Sequence, residues 1–154
     1  MYEPYSRQSL PEENYRALLG SAICVFNSNF AFIVENMLRD EPKSFDWGEL
    51  ITLEGGKLQK RIKQTSLSER DDICSLFKTI CLERNRIVHS FQITNAKGEQ
   101  VLATRDKNGI QFEITEEYLL NFITENERLS VPSIVFRTFV SQGPVPVAGA
   151  SSVS

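Results

Sequence analysis

The sequence predicts a mainly α-helical domain, a helical bundle with a small antiparallel β insertion before its last helix. Two observations predict it. Apolar residues recur at helical spacing over three long segments, and a shorter stretch after Phe91 switches to strict alternation. A third bounds the size: 154 residues fit one domain with a core that needs neither metal nor disulfide.

The first helix is expected to start at Ser9 as N-cap, with Pro11, Glu12 and Glu13 in its first turn. Its apolar seam is Tyr15, Leu18, Leu19, Ala22, Ile23, Phe26, Phe30, Ile33 and Met37, and it ends near Arg39, before Pro42. Such length suggests packing against a second copy. Phe45, Trp47 and Leu50 suggest a short helical turn, and Gly55-Gly56 reads as a break. A basic helix follows from Lys57 to Gln64, carrying Lys57, Lys60, Arg61 and Lys63. That run is an exposed face by default, or a guide for RNA. The third long segment begins at Ser68, with Asp71 placed as in a capping box. Its face is Ile73, Leu76, Phe77, Ile80, Ile87 and Phe91.

Beyond it, residues 92–95, 100–105 and 110–114 read as short strands, with Asn108-Gly109 as a tight turn. A last helix starts after Thr115 on Leu119, Phe122, Ile123 and Leu129. Residues 131–140 are apolar but contain Pro132, which leaves helix and strand both open. The domain is drawn as residues 1–140. Residues 141–154 are small and rich in Pro and Gly, and a disordered tail is expected.

The net charge of −3 rules out a global basic field, so any nucleic-acid contact needs a local patch. Cys24, Cys74 and Cys81 lie in apolar segments without metal-ligand spacing, and reduced, buried thiols are expected. No signal peptide is visible. The longest apolar stretch, Ala22 to Val34, is broken by Asn27, Ser28 and Asn29, so no membrane span is expected and a cytoplasmic location is.

One segment carries chemistry: Arg84-Asn85-Arg86-Ile87-Val88-His89, at the end of the third long segment. His89 is the chain's single histidine. Asn85 and His89 stand four apart and share a helix face. Arg84 lies about 140° round from His89, within reach of a long side chain. A histidine there is ordinarily a helix cap, and Arg84 and Arg86 are ordinarily solvated last-turn cations. Asn27 and Asn29 read first as polar residues at a helix interface. The alternative is that one of them reaches the Arg84/His89 groove. Glu83 reads first as a surface residue, the alternative being that it holds Arg84 in place.

Arg84, Asn85 and His89, in this setting, resemble the Arg-polar-x(3)-His motif of the HEPN superfamily. Cys81 to Phe91 also looks like small bacterial members with a β-hairpin after the motif helix. The resemblance implies a HEPN-like four-helix bundle. It implies a metal-independent endoribonuclease acting as a homodimer, of the kind found in toxin–antitoxin, abortive-infection and RNA-processing systems. Arg84 and His89 would be catalytic and Asn85 supporting, with Arg86, Asn27 and Lys60 as candidate substrate contacts. No cofactor or metal is implied. RNA, a second copy and an antitoxin-like or regulatory protein are the implied partners. Where nucleotide transfer neutralises such toxins, a Tyr follows the histidine by two; here Phe91 stands there, without a hydroxyl. The alternatives are a non-catalytic HEPN-like module that binds RNA, a nucleotide or a protein, and a plain helical interaction protein.

Overall fold

The computed structural model describes residues 2–3, 7–66 and 70–129. Two short strands, β1 (Tyr2–Glu3) and β2 (Gln8–Ser9), pair antiparallel at the start of the chain. Ser9 is therefore not the expected cap. It takes part in strand pairing, and helix α1 begins after Glu12 at Glu13, leaving Pro11 outside.

Helix α1 (Glu13–Asp40) buries Tyr15, Ala22, Phe26, Phe30, Ile33, Val34 and Met37, close to the expected seam. It stops as Glu41 N–H bonds the Met37 carbonyl, ahead of Pro42. By length and composition α1 is long and apolar enough to cross a membrane, with a window of mean hydropathy 1.8. The expectation from Ala22 to Val34 differs because Asn27, Ser28 and Asn29 interrupt the apolar run but not the helix. One third of that window, 33%, is buried within the chain.

Helix α2 (Trp47–Ile51) is capped by Asp46, whose carboxylate accepts from Glu49 N–H at 2.9 Å. Helix α3 (Gly55–Ile62) starts at the very pair expected to break the chain. The reason is packing. A Cβ at Gly55 would fall 2.5 Å from Cys81 Sγ, so glycine lets α3 close on α4. Helix α4 (Arg70–Val88) follows, with Asp71 and Asp72 in its first turn and Cys74, Phe77, Ile80 and Ile87 buried. Its expected cap, Ser68, lies outside the described residues.

Three strands, β3 (Phe91–Thr94), β4 (Gln100–Arg105) and β5 (Gln111–Ile114), form an antiparallel sheet in that order. The three expected strands thus form two successive hairpins. Gly98 and Gly109 turn them at φ of 82° and 81°. Helix α5 (Glu116–Leu129) starts on Thr115, whose hydroxyl accepts from Tyr118 N–H at 3.1 Å.

The chain is mainly helical, with this small sheet attached. Tyr15 ties the two together. Its buried hydroxyl donates to the Ile114 carbonyl at 2.6 Å and accepts from Leu102 N–H at 3.4 Å. Further along α1, Asn29 donates to the Asn126 carbonyl at 2.7 Å. These two links set α5 alongside α1 in the same direction. α4 closes the core from the other side, where Phe77 meets Phe30 at 5.9 Å between ring centroids.

Candidate functional site

Helix α4 places its last residues on three different faces. Arg84 points back into the molecule. Its guanidinium carbon lies 4.8 Å from the centroid of the Phe26 ring, a cation–π contact. The side chain is half-buried, and its Nε is buried without a hydrogen-bond partner. Among the described residues Arg84 forms no hydrogen bond and no ion pair. An orphaned buried donor costs about 1–3 kcal/mol. Packing alone is poor compensation, since a methionine would cover Phe26 without that cost.

Arg84 forms one wall of an open pocket of about 310 Å³. The other walls are Phe26, Asn27 and Phe30 of α1, with Ile51 and Leu53 at the end of α2. The pocket is apolar and aromatic apart from one cation and one amide. Asn27 is exposed at this pocket, whereas Asn29 turns inward to Asn126. The two asparagines therefore divide between the two expectations. Asn29 is the interface residue, and Asn27 is the one beside Arg84.

Asn85 and His89 are exposed. His89 N–H donates to the Asn85 carbonyl at 2.9 Å, so the helical ladder runs one bond past Val88 and the two residues stand one turn apart. No hydrogen bond from the imidazole caps a carbonyl among the described residues. His89 does not line the Arg84 pocket. Exposed Leu82 and Val88 adjoin these two positions on the α4 surface.

Arg86 points elsewhere. Its guanidinium carbon is 6.0 Å from the Phe112 ring centroid, toward β5 and α5. Burial pushes the half-buried Glu83 carboxyl up; Arg86 pulls it down and Glu125 adds to the rise. Burial likewise raises the Tyr118 phenol. The Arg86 guanidinium beside it pulls the other way without reaching hydrogen-bond geometry. Glu83 thus feels the charge of Arg86 rather than that of Arg84. Glu83 forms no ion pair with Arg84 among the described residues, so the alternative reading of Glu83 is not met, and Arg84 lies against Phe26 instead. Lys60 is exposed on α3 and does not line the pocket.

The cysteines divide as well. Cys74 is buried and Cys81 half-buried, but Cys24 is exposed, against the expectation for all three. Burial pushes the Cys81 thiol up to about 11, offset in part by Arg84. No group of three or more His, Cys, Asp or Glu side chains is gathered as a metal site among the described residues.

A second cleft, of about 340 Å³, lies near the start of α1 between Glu12, Glu99, Glu113 and Glu116, with Lys97 as its cation. It is roughly 20 Å from the Arg84 pocket along α1 by helical rise. Its carboxylates would repel a phosphate backbone, so the cleft at the start of α1 and the Arg84 pocket at its middle differ in sign.

The helical period pointed to Phe26 and Phe30 as core, which they are, but not to their second role as pocket walls. Ile51 and Leu53 carried no site signal at all. No protein-family model, curated protein or solved structure matches the chain.

Proposed function

We propose that the chain is a metal-independent endoribonuclease of HEPN type, built on a HEPN-like four-helix arrangement and acting as a cytoplasmic homodimer. The observation that carries this reading is Arg84: a half-buried guanidinium with no counter-ion among the described residues, opening on a pocket, with Asn85 and His89 exposed on the same helix end. A cation held without a partner is available for a phosphate.

In the proposed reaction the 2′-OH of one nucleotide attacks the adjoining phosphorus, and the 5′-oxygen of the next nucleotide leaves. His89 exchanges the protons, since imidazole titrates near neutrality. Arg84 stabilises the charge on the phosphoryl oxygens, and Asn85 orients the imidazole or donates to the phosphate. One chain supplies one imidazole, whereas the reaction needs a base and an acid. A second copy, meeting the first over Leu82 and Val88, supplies the other. Nothing in this chemistry calls for a metal, because arginine provides the positive charge.

The deciding experiment is RNA cleavage by the wild type and by His89→Ala, with chelator present. The expected outcome is loss of about 10²–10⁴ in rate for the variant. Products should carry 2′,3′-cyclic phosphate and 5′-hydroxyl ends, and a 2′-deoxy sugar at the cut should block cleavage. Full activity in His89→Ala, or cleavage of the deoxy substrate, overturns the assignment.

One observation favours a second reading. His89 lies outside the Arg84 pocket, as expected of a module that binds RNA or a nucleotide without cutting it. Binding that depends on Arg84 but not on His89, with no cleavage by a dimer, selects that alternative.

A further inference from the structure

The Arg84 pocket is larger and more apolar than a phosphate requires. A phosphate is held by donors at a surface. Here Phe26, Phe30, Ile51 and Leu53 wall a concave space, and only Arg84 and Asn27 are polar. Such a mixture suits a flat aromatic ring with a polar edge. Size narrows the choice. A cavity of about 150 Å³ takes benzene. At about 310 Å³ this open pocket has room for two fused rings.

The polar groups narrow it further. Arginine forks onto the O6/N7 edge of guanine and asparagine onto the N6/N7 edge of adenine, so both address a purine. The contact with Phe26 holds the Arg84 guanidinium at the pocket wall, where its fork can meet a base edge.

We propose that this pocket receives the base of one unpaired purine nucleotide, splayed out of single-stranded RNA. The source of the base rests on the ribonuclease reading above, while the base pocket rests on its own geometry. The terminal nitrogens of Arg84 carry enough N–H donors to serve a base edge and the adjoining phosphate together. Arg84 then links recognition to cleavage. Double-stranded RNA, whose bases stay stacked, is excluded by shape.

The test titrates the full chain with GMP, AMP, UMP, CMP and ribose 5-phosphate, followed by calorimetry and by amide chemical shifts. At least one purine monophosphate should bind tenfold or more tightly than ribose 5-phosphate, and several-fold more tightly than either pyrimidine. Shifts should centre on Phe26–Phe30 and Ile51–Leu53. Leu53→Trp, which fills the pocket, should erase the difference. Asn27→Ala, at an exposed position that does not endanger folding, should reduce purine preference several-fold. Equal affinity for ribose 5-phosphate and the purines overturns the proposal, as does a purine preference that survives Leu53→Trp in a folded protein. A second arm uses RNA with one abasic purine position beside the cut, which should slow cleavage tenfold or more. Purine preference without any RNA cleavage keeps the base pocket and removes the ribonuclease reading. Cleavage indifferent to the abasic site, with no mononucleotide preference, removes the pocket and leaves that reading standing.

Discussion

Arg84 and Arg86 stand two residues apart on one helix and live in opposite circumstances. Arg86 lies 6.0 Å from the Phe112 ring centroid and close enough to Glu83 and Tyr118 to pull both pKa values down, without forming an ion pair among the described residues. Arg84 has an aromatic face, an orphaned Nε and an open pocket. The difference teaches how to tell a structural cation from a functional one. The first has an acid near it inside the fold, and the second leaves a buried donor without a partner at a place a ligand can reach.

The largest expected effect is on activity. Arg84→Ala should cut RNA cleavage by about 10²–10³, the scale of a lost transition-state donor, and should weaken RNA binding as well. Arg84→Lys should recover only part, since a point charge lacks the fork. Arg86→Ala should stay within a few-fold per folded molecule. Single-turnover cleavage measures all three. A larger loss from Arg86→Ala than from Arg84→Ala inverts the comparison.

Stability should run the other way, with a smaller amplitude. Arg86→Met strips Glu83 of its cation and Phe112 of its cover, at a cost of about 1–2 kcal/mol. Arg84→Met keeps apolar cover on Phe26 and removes an unpaired charge, so it should be neutral or slightly stabilising. Urea unfolding of both variants decides this, and equal losses would put the two arginines in one class.

The smallest effect is a pH dependence on the Arg86 side. The folded Glu83 carboxyl is raised from its ordinary value, chiefly by burial. A raised acid favours the fold while protonated. Its contribution is complete below the unfolded pKa and is lost as pH rises through the folded one. Glu83→Gln should therefore raise the melting temperature at pH 7 and change it little at pH 4. A lower melting temperature at pH 7, with little change at pH 4, would mean that Arg86 outweighs burial.

Much of the frame was legible. Strand β4 was marked by alternation and α5 by Thr115 ahead of an amphipathic run, because both signals are local. The errors came where distant partners override local chemistry. Ser9 followed by Pro and two glutamates has the form of a helix start, but pairing with Tyr2 claims it. Gly55-Gly56 has the form of a break, yet the close approach of Cys81 makes a glycine necessary inside a helix. The motif singled out Arg84 and His89 as candidates. It did not show that Phe26 holds the first of them, since a contact between α1 and α4 leaves no mark on either helix's own period.

The uneven setting of the three cysteines has a practical consequence. Cys81, with its thiol near 11, and Cys74, raised by burial, hold almost no thiolate at neutral pH, whereas Cys24 is open to solvent. A maleimide should therefore mark the wild-type chain at a single position, without any cysteine being removed. That position is three residues from Asn27, so a fluorophore there would report events in the pocket. A spin label at the same thiol would act as a ruler, giving one distance for every pair of chains that associate.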